Sequence, residues 1–210
     1  PRAMSAGEME RLMRAYTLAM LDVFGPDKDI PAPDMGTGSR EMAWLMDEYS
    51  KAKGMTVQSV VTGKPLVLGG SLGRAEATGR GVMVAALAAM EKLRLNPYKA
   101  TAAVQGFGNV GSHAAALLRE RGVKIVAVSD ISGVYYNENG LDIEAAIQYR
   151  NGNNGILDGY KEAELIDGDE LFKLPVDLLV PAAKEDVITK HNAQDIQAKL
   201  IVEGANGPTS

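Results

Sequence analysis

Between Thr101 and Asp130 the chain runs through an apolar segment, a glycine turn, an amphipathic segment and a second apolar segment, and few folds accommodate that order. The spacing predicts a strand at 101–105, a helix at 109–121 and a strand at 124–129, with Lys124-Ile-Val-Ala-Val-Ser129 apolar on both faces. Strands apolar on both faces and separated by helices are buried in a parallel sheet, because the crossover helices cover it. A helix at 142–150 and strands at 177–180 and 199–203 continue the pattern. The expected fold class is α/β, a doubly wound Rossmann-type, mostly parallel sheet.

The turn itself reads Gly106-Phe107-Gly108-Asn109-Val110-Gly111, a GxGxxG between strand and helix. In such a turn Gly106 permits the sharp bend, Gly108 lets a pyrophosphate approach the backbone, and Gly111 lets helix and strand close up. The helix N-terminus beyond it offers unpaired N–H groups to phosphate. Asp130 follows about 20 residues beyond Gly111, where an acidic side chain accepts hydrogen bonds from the adenosine ribose. An ordinary strand-ending turn in Ser129-Asp130-Ile-Ser-Gly133 is the alternative reading of that residue. An Asp there repels a 2′-phosphate, and neither Ile131 nor any Arg or Lys in 125–149 offers one a partner, so NAD is favoured and NADP left open.

The first third of the chain is different in kind. Ser5 with Glu8 forms a capping box, and Met9, Leu12, Met13, Tyr16, Met20 and Val23 recur at helical spacing, predicting a helix over 5–24 that Gly25-Pro26 stops. Ser39 is placed to cap a second helix with Met42, Leu45, Met46 and Tyr49 on one face. Prolines 31 and 33 hold Asp29–Asp34 extended. From Val60 to Gly73 short apolar runs and glycines suggest a strand and a tight loop, and a candidate boundary. A third helix follows, with Val82, Ala85, Ala86, Ala89 and Leu93 as a small-residue face implying close packing.

Composition narrows the function classes. The chain has 210 residues, a net charge of −5 and no Lys/Arg-rich run, so nothing in it marks a nucleic-acid or membrane partner, and a small-molecule ligand is expected. With no Cys and two His far apart in sequence, neither a thiol nucleophile nor a metal site is expected. No apolar stretch is long enough to cross a bilayer and no signal-peptide pattern opens the chain, so the expected compartment is the cytoplasm.

Three longer segments carry a resemblance. Thr62-Gly-Lys-Pro-Leu-Val-Leu-Gly-Gly-Ser-Leu-Gly-Arg-Ala-Glu-Ala-Thr-Gly-Arg-Gly-Val82, Gln105-Gly-Phe-Gly-Asn-Val-Gly111 and Val202-Glu-Gly-Ala-Asn-Gly-Pro-Thr209 resemble, in order, signature segments of the glutamate dehydrogenases, within the glutamate, leucine, phenylalanine and valine dehydrogenase family. The resemblance implies reversible oxidative deamination of L-glutamate to 2-oxoglutarate and ammonia with a nicotinamide cofactor, in a homo-hexamer. It implies that Asp34, in Pro31-Ala-Pro-Asp-Met-Gly-Thr37, is the catalytic aspartate that moves protons at the substrate nitrogen, although Pro-Asp-x-Gly alone is common turn chemistry. It implies that Thr78, Asn109 and Asn206 border the nicotinamide cofactor; helix capping is the alternative for Thr78 and Asn109.

One departure qualifies this. The resemblance implies a catalytic lysine in a glycine-rich Lys-Gly-Gly segment and substrate-gripping lysines, all expected upstream of this sequence, and a serine for the γ-carboxylate downstream of it; no lysine here sits in such a context, and the first and last residues, Pro1 and Ser210, read as cut ends. The expected organisation is therefore residues 1–62 as the C-terminal part of a substrate domain, a helical remnant, and 63–210 as a dinucleotide-binding domain truncated at its C-terminal end. A non-catalytic NAD-binding module, or a dehydrogenase of leucine, phenylalanine or valine, is the alternative.

Overall fold

The computed structural model describes residues 4–34 and 36–210, which form two compact units meeting in sequence at Arg74 and Ala75. In the first unit, α1 (Ala6–Ala19) and α2 (Ser39–Lys53) pack together. The capping box forms as expected: Ser5 N–H donates to Glu8 Oε2 at 2.8 Å and Glu8 N–H to Ser5 Oγ at 3.3 Å. The helix is shorter than the 5–24 expected, because residues 20–24 pass into turns that bring Phe24 into the core. Glu41, not Ser39, caps α2, its Oε2 accepting from Gly38 N–H at 2.7 Å. Met42, Leu45, Met46 and Tyr49 do share the buried face, against Met9, Met13, Phe24, Val60 and Val61. Arg14 ties the helices together at the rim through Glu10, Asp47 and Glu48.

No strand forms between Val60 and Gly73. Two 3-10 turns, Gln58–Val60 and Leu66–Leu68, replace it. Pro65 starts the second turn, and Gly69, at φ +83°, closes it with its N–H on Leu66 O, a conformation a strand cannot contain.

The second unit is a six-stranded sheet in the order β4-β3-β2-β1-β5-β6, its strands being β1 (Thr101–Gln105), β2 (Lys124–Asp130), β3 (Gly133–Tyr136), β4 (Glu164–Ile166), β5 (Leu178–Pro181) and β6 (Leu200–Ile201). The pairs β1–β2, β1–β5 and β5–β6 are parallel. Strands β3 and β4 are antiparallel additions that the sequence reading did not foresee. A tight turn through Ile131 and Ser132 folds β3 directly back on β2, so no helix marks it in the sequence. Both faces are covered: Ala102 and Val104 join one apolar cluster with α3 (Ala77–Lys92) and α4 (Asn109–Glu120), while Ala103 joins another with Val126, Leu171, Leu179 and Ile188. That alternation is what a doubly covered, mostly parallel sheet demands of its central strand.

The face that α3 buries is Gly79, Val82, Met83, Ala86 and Met90, whereas Ala85 and Leu93 are exposed. The close packing expected of it is present, through glycine rather than alanine. A Cβ on Gly79 would sit 2.7 Å from Ala114 N and from His113 Cβ on α4.

Asp177 fastens the start of the central strand. Its Oδ2 accepts from Thr101 N–H at 2.9 Å and its Oδ1 from Lys199 Nζ at 2.7 Å. Burial pushes its pKa up, but Lys199 and Thr101 outweigh that and leave it below the usual aspartate value. Because the folded pKa is the lower one, the stabilisation is complete above about pH 4 and is lost as pH falls through the folded value. Urea midpoints are therefore expected to drop between pH 7 and pH 3 by less in Asp177→Asn than in wild type; an equal drop removes Asp177 from this role.

Candidate functional site

The carboxyl ends of the parallel strands form the site of the second unit, at the point where the sheet order reverses between β2, β1 and β5. Strand β1 ends at Gln105, whose carbonyl accepts from Ala182 N–H beyond β5 at 2.7 Å. Gly106 then turns the chain at φ +92°, and its N–H donates to Ser129 Oγ, near the end of β2, at 3.1 Å. A Cβ on Gly106 would lie 2.8 Å from Ala183 Cβ. Three strand ends are thus fastened around one residue that has no room for a side chain.

The other two glycines differ from one another. A Cβ on Gly111 would collide with Gly106 O, so the absence of one lets α4 begin directly over the end of β1. A Cβ on Gly108 would meet nothing within 4 Å, so this residue leaves open space above the turn. Beside that space are the first-turn N–H groups of α4, at Asn109, Val110 and Gly111, which helix geometry leaves without an intrahelical acceptor. The cradle therefore fits a pyrophosphate: closed by glycine beneath, open at Gly108, and lined with N–H groups.

The start of α3, which carries Thr78, and the first turn of α4, which carries Asn109, meet at this end of the sheet. Asn109 Nδ2 donates to Ala75 O at 3.0 Å, and the space beside Gly79, next to Thr78, is closed by Val110 O. Neither residue is a cap, since Glu76 and Gly108 precede the two helices, and Thr78 is exposed in the first turn of α3. Asn206 lies exposed in the loop after β6, which is held over β5 by the Gly204 and Ala205 N–H groups on Pro181 O at 2.8 and 3.1 Å. Val110, half-buried, packs toward that loop, for a Cβ on Gly204 would come 3.2 Å from Val110 Cγ1. Gln105 Oε1 is buried here and has no hydrogen-bond partner among the described residues.

Asp130 performs the strand-ending turn. Its Oδ1 accepts from Ser132 N–H at 2.7 Å and from Ser132 Oγ at 2.5 Å, and its Oδ2 from Leu157 N–H at 2.6 Å. A carboxylate oxygen has two acceptor sites, so Oδ2 retains one for a further donor. Arg150, on α5 (Ile143–Gly152), was not anticipated: its Nη1 donates to Phe107 O at 2.5 Å and Gly108 O at 3.2 Å, and its guanidinium lies over the Phe107 ring at 5.7 Å. Burial lowers its pKa while Asp130 raises it, the first outweighing the second. It lies one residue beyond the 125–149 stretch that lacks a cation.

Asp34 belongs to the first unit. It is exposed at the end of the proline-held segment, its N–H donating to Thr37 Oγ1 at 2.8 Å and its carbonyl accepting from Thr37 N–H at 2.9 Å. Pro31 O accepts from Thr62 N–H at 3.0 Å, which pins the segment. Among the described residues no group of three or more His, Asp or Glu could hold a metal ion, and no helix is long and apolar enough to cross a membrane.

A family model described as Glutamate/Leucine/Phenylalanine/Valine dehydrogenase matches residues 69–210, and one described as Glu/Leu/Phe/Val dehydrogenase, dimerisation domain, matches residues 1–51. A glutamate dehydrogenase of Thermotoga maritima is 52% identical over all of this chain and 50% of its own length. An NAD-specific glutamate dehydrogenase A of Halobacterium salinarum is 48% identical over all of this chain and 48% of its own. The crystal structure of hetero-hexameric glutamate dehydrogenase from Thermus thermophilus, in a Leu-bound form, superposes with a TM-score of 0.91 at 36% identity, over 99% of this chain and 50% of that one. The chain spans about half the length of the curated relatives it matches.

The glycine geometry separates two variants. Gly111→Ala is expected to destabilise the fold by about 1–3 kcal/mol, because backbone must move to admit the methyl, whereas Gly108→Ala stays within about 0.5 kcal/mol of wild type. Urea denaturation measures both; equal losses would mean that the turn is not packed in this way.

Proposed function

The chain belongs to the Glutamate/Leucine/Phenylalanine/Valine dehydrogenase family, and from that premise we propose that it is the cofactor-binding portion, with an adjoining piece of the substrate domain, of an NAD-dependent glutamate dehydrogenase. The observation that carries this reading is the open cradle at Gly108, at the carboxyl end of the central strand, which leaves room for a pyrophosphate at the α4 N-terminus. The NAD-specific relative supports the choice of cofactor. The proposed division is 1–62 for the substrate-domain part and 63–210 for the dinucleotide domain. In the longer protein the reaction is reversible oxidative deamination of L-glutamate to 2-oxoglutarate and ammonia. The hetero-hexameric Thermus relative supports a hexamer, and a cytoplasmic setting belongs to the same proposal.

In this reading the residues divide the work. Gly106, Gly108, Asn109, Val110 and Gly111 form the pyrophosphate cradle. Asp130 accepts a ribose hydroxyl at its remaining Oδ2 site. Thr78 and Asn206, on the two loops that flank the cradle, border the nicotinamide, which when bound supplies the hydride acceptor. Asp34 holds and moves the proton at the substrate nitrogen, and the Thr37 turn and adjacent prolines give its backbone a stiff mount. No lysine here lies in the glycine-rich context the family uses, so this portion binds NAD without turning over glutamate.

Three outcomes are expected. Calorimetry detects NAD binding by the 210-residue chain, and absorbance at the NADH band detects no glutamate-dependent reduction; clear turnover refutes the division of labour. Asp34→Asn in the longer protein lowers turnover by about 10²-fold or more with unchanged NAD affinity, the usual scale of lost acid–base catalysis, and an undiminished rate returns Asp34 to turn duty. Asp130→Ser lowers the melting temperature, because Leu157 N–H loses its acceptor, and also lowers the ratio of NAD to NADP affinity; a melting shift alone leaves Asp130 purely structural.

A further inference from the structure

Arg150 is distant in sequence from the glycine turn, yet its side chain ends on it. Nη1 bridges two successive carbonyls, Phe107 O and Gly108 O, and Nη2 donates to Asn151 Oδ1 at 3.1 Å, which fixes the plane of the guanidinium. Its face covers the ring of Phe107, a residue 1% exposed. Gly108 O has other donors, Ser112 N–H at 3.1 Å and Ser112 Oγ at 2.6 Å, whereas for Phe107 O the donor is Arg150. The same end of α5 reaches the neighbouring strand, since the loop behind it, closed by Asn153 Nδ2 on Asp158 O at 2.8 Å, delivers Leu157 N–H to Asp130.

We propose that Arg150 is a positioning residue for the phosphate-binding turn: by holding the Phe107 and Gly108 carbonyls on the α5 side, it fixes the peptide planes that aim the following N–H groups at phosphate. A peptide plane has its carbonyl and the next residue's N–H on opposite sides, so pinning Phe107 O orients Gly108 N–H, and pinning Gly108 O orients Asn109 N–H. Lysine cannot substitute, because a single ammonium on a flexible stem has neither the second nitrogen that Asn151 holds nor the planar face that lies over Phe107, so nothing fixes where its donors point.

This rests on the reading that the second unit binds a nicotinamide dinucleotide. The test is calorimetric titration of the 210-residue chain with NAD and ADP, ligand-observed NMR with adenosine, and a melting temperature for wild type, Arg150→Met and Arg150→Lys. The expected result is that both variants weaken NAD and ADP about tenfold, the scale of losing a charge-assisted hydrogen bond, with adenosine affinity unchanged. A merely structural role would weaken all three ligands alike and in step with melting. Lysine binding NAD as wild type does would make Arg150 a point charge instead, and variants within twofold of wild type would overturn the proposal outright. Wild type failing to bind NAD would overturn the functional reading, and this inference with it.

Discussion

The approach of Gly111 to the Gly106 carbonyl is the contact on which the second unit depends. With no side chain between them, α4 starts directly over the end of β1, and its N-terminus stands where the parallel strands stop. The other close contacts follow from that placement. Helix α3 presses on α4 at Gly79, next to Thr78, and the loop after β6 closes on Val110 through Gly204. A chain that put alanine at Gly111 or Gly79 would force backbone apart between layers that share one apolar cluster, and with them the residues bordering the cradle.

Legibility in the sequence followed how local each determinant was. The turn from Gly106 to Gly111 was readable because glycine spacing, apolar strand and amphipathic helix are adjacent, and β1, β2 and β5 were readable because both of their faces are buried. Strands β3 and β4 were not, being short antiparallel strands at one side of the sheet, set by a hairpin and by pairing rather than by composition. The buried face of α3 was misphased because alanine on every side removes the contrast between faces, so Gly79 and Met83 passed unnoticed beside Ala85 and Leu93. The turn chemistry of Asp34 and Asp130 was visible as such, and both residues do make those turns; a role beyond the turn came from resemblance for Asp34 and from motif spacing for Asp130.

Arg150 marks the limit of motif reading. No spacing rule links the last turn of α5 to a glycine turn more than one strand away, and only the packing of α5 against α4 brings them together. That packing makes α5 a brace for two strand ends at once, holding the β1 turn through Arg150 and Asp130 at the end of β2 through Leu157. Asp130 therefore joins fold and candidate site in one carboxylate, and the charge next to it is not the vacancy that the 125–149 segment suggested.

The central claim is that the cradle at Gly108 receives the pyrophosphate of NAD. A crystal structure of the 210-residue chain grown with NAD tests it most directly. The account requires pyrophosphate oxygens within hydrogen-bonding distance of the first-turn N–H groups of α4, with Gly108 the nearest backbone. NAD seated elsewhere on the unit, with that cradle unvisited, would contradict it.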